Sequence, residues 1–211
     1  MSRRKLVRTN LYPYHITTRT NNKEWFDIPL DDVWRMSLHS LKHANNVYKV
    51  DIIAFVLMQN HYHLIIKTPE SNIDLFMYEF NKRLSLLIRT KSKRINSVFG
   101  GRYKWSLIRS QTYLYNCYRY VYQNPVRAGI TKRCENYPYS SLHCLIFKKK
   151  FPLPLIDSFG FKDEYALSWL NMNIKENELF AIRNSLNRAE VRVIKTSSKD
   201  KIKTYFKFDA P

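Results

Sequence analysis

Residues 49–68 read Lys49-Val-Asp-Ile-Ile-Ala-Phe-Val-Leu-Met-Gln-Asn-His-Tyr-His-Leu-Ile-Ile-Lys-Thr68. β-Branched and aromatic side chains fill both halves, and these fit a pleated strand better than a helix. Gln59-Asn60 interrupts the apolar run with a break of hairpin length. The spacing predicts two strands, 49–58 and 61–68, folded back on one another.

Outward from this hairpin the pattern alternates. Residues 12–19, Tyr-Pro-Tyr-His-Ile-Thr-Thr-Arg, read as an earlier strand closed by Asn21-Asn22. Between them, residues 31–46 place Val33, Met36, Leu38 and Leu41 at mostly helical spacing, with Asp31 or Asp32 near the cap. Pro69 stops the second hairpin strand. Ser71 or Asn72 can then cap a long helix to about Arg89, with Ile73, Phe76, Phe80, Leu84 and Leu87 along one side. A strand over 102–109 follows, and Ser110 opens a helix over 111–124 that Pro125 ends. The order strand, helix, strand, strand, helix, strand, helix predicts an α+β fold. Its expected form is a ferredoxin-like, RNA-recognition-type antiparallel sheet with helices on one face.

Beyond Gly129 the texture changes. Residues 131–160 are loop-rich, with Pro138, Pro152, Pro154 and the run Lys148-Lys149-Lys150. Asn173-x-x-Glu176 resembles a capping box before Leu179, Ile182 and Leu186, which predicts a short helix. The division expected is a principal domain over 1–130 and a basic loop-and-helix extension over 131–211.

Composition narrows the function classes. The 211 residues are 45% hydrophobic, enough for a packed core. No apolar run has membrane-spanning length, and Met1-Ser-Arg-Arg-Lys5 lacks the apolar stretch of a secretion signal. A cytoplasmic protein with no membrane partner is expected. Cys117, Cys134 and Cys144 form no C-x-x-C pair, so neither a zinc ribbon nor a disulfide framework is indicated. The net charge is +19, of which +13 falls within residues 1–130. Such an excess favours a polyanion, and the 15% aromatic content offers rings on which unpaired bases can stack.

Two constellations carry candidate chemistry. On a strand, residues i and i+2 share a face, so His61 and His63 project together and can converge on a divalent cation. Tyr120 and Asn124 lie one turn apart on a helix, on one face. A phenol can attack a phosphodiester and conserve its bond energy in a phosphotyrosine. An amide oxygen is a hard ligand suited to Mg²⁺ or Mn²⁺, so Asn124 could complete a site begun by the histidines. Tyr118 and Tyr122 fall on other faces from Asn124. His39 and His43 lack the glutamate of the H-E-x-x-H motif, since Ser40 stands there, and read as structural. His15 reads as core.

These residues stand in blocks that carry a resemblance. Met58-Gln-Asn-His-Tyr-His-Leu-Ile-Ile66 and Tyr118-Arg-Tyr-Val-Tyr-Gln-Asn-Pro-Val-Arg-Ala-Gly-Ile130 resemble the HUH-class single-tyrosine transposases, most of all the bacterial REP-associated branch. Thr18-Arg-Thr-Asn-Asn22, Gly101-Arg-Tyr103 and Tyr137-Pro-Tyr-Ser-Ser141 extend the likeness over about residues 8–145. The resemblance implies His61 and His63 as metal ligands, Tyr120 as nucleophile and Asn124 as the metal-side residue below it. It implies cleavage of single-stranded DNA near a hairpin, leaving a 5′-phosphotyrosine and a free 3′-hydroxyl without ATP. Two positions depart from the pattern: Gln59 stands where proline is common, and Thr20 where glycine is common. Insertion-sequence relatives carry Gln four residues after the tyrosine, so Asn124 and the long carboxy-terminal region favour the REP-associated branch. The same extension favours a monomer over a dimer.

Arg102, Lys104, Arg119 and Arg127 flank these blocks and are candidate phosphate contacts. Arg3, Arg4, Lys5 and Arg8 form a basic arm that could track a hairpin. Two rival readings remain: a non-catalytic hairpin-binding protein on the same sheet, and a zinc hydrolase built on the histidine pair.

Overall fold

The computed structural model describes residues 5–190. Four strands, β1 (Tyr14–Arg19), β2 (Asp51–Leu57), β3 (His61–Lys67) and β4 (Lys104–Leu107), form one antiparallel sheet in the order β2-β3-β1-β4. That order follows from the connections. The β2–β3 hairpin closes on a Met58 N–H to His61 carbonyl bond of 2.7 Å, and α1 (Leu30–Val47) and α2 (Ile73–Ser92) carry the crossovers. The α+β class expected from the sequence is the one observed.

Alternation decides the faces. Tyr14, Ile16, Phe55, Leu57, Tyr62, Leu64 and Ile66 turn toward α1 and α2 and form the larger core with Val33, Leu41, Phe76, Phe80 and Leu84. A register shift between Ile52 and Ala54 inserts one residue, after which Ala54 and Val56 face the other way.

That other face is also covered, which differs from the expectation of helices on one face only. Helix α3 (Gln111–Tyr122) packs Leu114, Cys117, Tyr118 and Val121 over Ala54, Val56 and Ile65. Its aromatic character is the cause: Tyr118 and Tyr122 are buried and stacked, and both demand a sheet or loop to pack against.

Pro125 does not end the helical path. Gln123 stays right-handed, and a one-turn helix α4 (Asn124–Arg127) continues with Pro125 near its start, where the missing N–H costs nothing.

The stretch beyond Gly129 is more ordered than its prolines suggested. Helix α5 (Ser141–Ile146) is capped by Ser140 Oγ, which accepts from His143 N at 3.1 Å. Helix α6 (Glu164–Asn171) is capped by Asp163, which accepts from Tyr165 N at 2.8 Å and Ala166 N at 3.2 Å. The last helix, α7 (Glu176–Leu186), was expected, but its cap is Lys175 and the Asn173-x-x-Glu176 box is unused. Leu142, Phe161, Trp169, Leu170 and Leu186 enter the same cluster as Ile53, Val56 and Ile65, so segments on both sides of residue 130 share one core. No helix among the described residues is long and apolar enough to cross a membrane.

Candidate active site

The sheet face under α3 is apolar on β2 but polar on β1 and β3. Register sets Arg19 opposite His61, Thr17 opposite His63, and His15 opposite Ile65, so five polar side chains share that face. His61 and His63 lie with ring centroids 5.1 Å apart and planes near perpendicular.

The ring of Tyr120 meets this pair from above. It stands edge-on to His63 at 5.5 Å between centroids and to His15 at 6.0 Å. Among the four tyrosines at 115–122 it is the one turned to the histidines. Tyr118 packs on Phe161, and the Tyr122 hydroxyl lies 3.0 Å from Ser141 Oγ.

Asn124 and Arg127 tie down the end of α3. Both donate to the Tyr120 carbonyl, Asn124 Nδ2 at 2.9 Å and Arg127 Nη2 at 3.0 Å. The Arg127 guanidinium also lies over the Tyr120 ring, 4.9 Å from its centroid. Its Nε and Nη1 are buried with no hydrogen-bond partner among the described residues. Burial pulls Arg127 down to about 10, so it stays charged at neutral pH.

The histidines are neutral there. Burial takes His15 down to about 3, and burial together with the Arg19 charge takes His61 down to about 4. His63 is pushed well below the usual imidazole range, first by burial and then by facing His15, His61, Arg127 and Arg19.

Neutral imidazoles are the form that ligates a cation. His61 Nδ1 is occupied by Asn60 Oδ1 at 2.7 Å and His63 Nδ1 by His15 Nε2 at 3.0 Å, which leaves each Nε2 unspent. Asn124 spends its Nδ2 on the helix and keeps Oδ1 as an acceptor. Among the described residues no third His, Cys, Asp or Glu is placed to share a metal ion with the pair. By donor chemistry, two imidazole nitrogens with an amide oxygen as the third candidate suit Mg²⁺ or Mn²⁺ better than a closed zinc site.

The remaining candidates scatter. Arg8, Arg102 and Lys104 line one groove of about 1310 Å³ between α2 and the β4 edge, together with Tyr78, Lys82 and Tyr103. Arg8 is held there by Asp74 at 2.6 Å. Lys104 sits in register with Thr17, which pairs with His63, so two strand spacings of about 10 Å separate its backbone from the histidine row. Lys5 is exposed, and Arg3 and Arg4 lie outside the described residues.

Arg119 departs from its expected place at a phosphate. It is buried, stacks on Trp169 at 5.0 Å and donates to the Met172 carbonyl at 2.9 Å.

Sequence reasoning missed His15, read as core, and gave no role to Asn60 or Arg19. The signal for His15 and Arg19 was their two-residue spacing with Thr17, which acquires meaning only when β1 is registered against β3.

With this sheet and this site in place, comparison with known proteins gives the class: tyrosine transposases. The chain belongs to the IS200-like transposase family, whose model matches residues 8–124. A Haemophilus influenzae protein assigned as a REP-associated tyrosine transposase is 26% identical over 152 residues, spanning 67% of this chain and 84% of that protein. The solved structure of a REP-associated tyrosine transposase bound to a REP hairpin superposes with a TM-score of 0.60 at 18% identity. The match covers 83% of this chain and all of that one.

Proposed function

We propose that this transposase cleaves and rejoins single-stranded DNA beside a hairpin, through a transient covalent link to Tyr120 that depends on Mg²⁺ or Mn²⁺. One observation carries the reading: the Tyr120 ring lies edge-on against His63 at 5.5 Å within a single chain. A hairpin partner is supported by the solved relative bound to a REP hairpin.

His61, His63 and Asn124 Oδ1 would hold the cation. The chemistry it supplies when bound is polarisation of a phosphoryl oxygen and orientation for in-line attack. The Tyr120 hydroxyl oxygen attacks phosphorus, a 5′-phosphotyrosine bond forms and the bond to the 3′ oxygen breaks. The proton lost by the phenol is balanced by the one gained on the departing 3′-hydroxyl. Rejoining reverses these steps with a 3′-hydroxyl as nucleophile. Arg127, fixed over the ring with two unspent donors, is suited to the charge that grows on the transferring phosphate. The groove along α2 and β4 offers Lys82, Arg102 and Lys104 for phosphates and Tyr78 for a base.

Because tyrosine and histidines come from one chain, a monomer holds a whole site. The test mixes protein, Mn²⁺ and 5′- or 3′-labelled hairpin oligonucleotides from the flanks of the gene. On a denaturing gel, only the fragment 3′ of the cut should migrate with protein, and Tyr120→Phe should abolish that band. A non-catalytic binder, which the basic groove alone would serve, predicts retained hairpin shifts with no covalent band in either protein.

A further inference from the structure

The histidine pair is held from behind by two side chains, one for each ring. Asn60 Nδ2 donates to the Lys23 carbonyl at 2.7 Å, and a carbonyl can only accept, so the Asn60 amide has one orientation. Its Oδ1 therefore faces His61 Nδ1 at 2.7 Å and requires the proton to be on that nitrogen. His63 has a different neighbour. Its Nδ1 lies 3.0 Å from His15 Nε2, with the two rings stacked at 22° between planes.

Both of these residues are buried, His15 at 3% exposure and His63 at 4%, so water does not mediate the choice. Two imidazole nitrogens at this distance share one proton. If it sits on His15, neutral His63 must carry its own proton on Nε2 and has no lone pair there. If it sits on His63, Nε2 is free. The contact is built into the sheet, since His15 pairs with Ile65, two residues from His63 on the same face.

We propose that Asn60 and His15 are positioning residues that hold His61 and His63 as matched tautomers, each protonated on Nδ1, so that both Nε2 lone pairs are available to one cation. The inference rests on the metal-dependent reading above and goes beyond it by naming what prepares the ligands before any metal arrives. Metal-binding histidines whose other nitrogen loses its partner bind metal about 10–100-fold more weakly. Asn60 also ties the tip of the β2–β3 hairpin to the loop after β1: its backbone carbonyl accepts from Thr20 N at 2.9 Å while its side chain sets His61.

Two measurements test this. Nitrogen-15 spectra of the histidine side chains in metal-free full-length protein should show His61 and His63 both protonated at Nδ1 and bare at Nε2. Titration with Mn²⁺ should then show His15→Phe and Asn60→Ala weakened about 10–100-fold. His15→Gln, whose amide oxygen can stand where Nε2 stood, should stay within about threefold of the parent chain. Finding the His63 proton on Nε2 in the metal-free protein would overturn the proposal, as would a folded His15→Phe that binds Mn²⁺ like the parent. A parent chain that bound no Mn²⁺ at all would instead defeat the metal-dependent reading, while the tautomer spectra would still decide this one. The same spectra decide it if a variant does not fold.

Discussion

The candidate site is a cluster of side chains whose neighbours determine their state. Arg127 stacks on the Tyr120 ring and holds its carbonyl, with two further donors unspent. Lysine keeps the charge but not the planar fork, so Arg127→Lys should slow single-turnover cleavage about 10–100-fold, while hairpin affinity stays within about threefold. An unchanged cleavage rate would remove Arg127 from the site. The buried histidines make a separate prediction about pH. His15 and His61 fall to about 3 and 4, and His63 lies well below its ordinary value, against about 6.5 in the unfolded chain. Between those limits the unfolded chain binds more protons than the folded one. Stability is therefore full above about pH 6.5 and is lost as pH falls, by up to about 1.4 kcal/mol per pH unit for each such histidine. Thermal melts of EDTA-treated protein should drop steeply from pH 6.5 to 5. A flat profile there would mean that the histidines are not held neutral.

At the scale of elements, the parts legible in the sequence were those that obey one periodicity. The hairpin 49–68 was readable because β-branched and aromatic residues fill each half and the break is two residues long, and α2 because Ile73, Phe76, Phe80 and Leu84 keep helical step. The one-turn spacing of Tyr120 and Asn124 was equally plain, and the structure spends it on a bond from Asn124 Nδ2 to the Tyr120 carbonyl. What spacing cannot give is partnership between elements. Helix α6 is capped by Asp163 and buries Trp169 and Leu170, yet its sequence neighbours gave no sign of what those side chains would meet. Arg119 was misjudged for the same reason. Its charge suggested solvent, but Trp169 and the Met172 carbonyl enclose it. Arg119→Ala should therefore act as a packing mutation, lowering the urea midpoint by the equivalent of about 2–4 kcal/mol and leaving the salt dependence of DNA affinity unchanged. Arg102→Ala and Lys104→Ala, in the groove, should do the reverse. Each should reduce the slope of log affinity against log salt by about 1 with little change in stability. A reduced slope for Arg119→Ala would return that residue to the DNA surface.

For the whole molecule, the question is what holds the tyrosine over the histidines. Helix α3 lies between the sheet face on one side and segments that follow residue 130 on the other. Gln123 donates to the Leu170 and Met172 carbonyls at 2.6 Å, the Tyr137 hydroxyl donates to the Leu57 carbonyl at 2.7 Å, and Ser106 Oγ donates to the Leu186 carbonyl at 2.5 Å. Cys134, Leu142, Phe161, Trp169 and Leu186 complete a core begun by Ala54, Val56, Ile65 and Leu114. The family match ends at residue 124, the first residue of α4, while the second core also draws on later segments. A fragment of residues 1–130 should consequently contain every candidate ligand and the proposed nucleophile and still fail as an enzyme. Stripped of Leu142, Phe161, Trp169, Leu170 and Leu186, each contributing about 1.5–3 kcal/mol by burial, its α3 should detach from the sheet. The expected readings are bound hydrophobic dye, a melt without a cooperative step, and no covalent DNA adduct. The full chain should melt once, with Tyr120→Phe melting like the parent, because that ring remains in place. A fragment that melted cooperatively and formed the adduct would show that the first 130 residues are a domain in their own right, with the later helices merely resting on it.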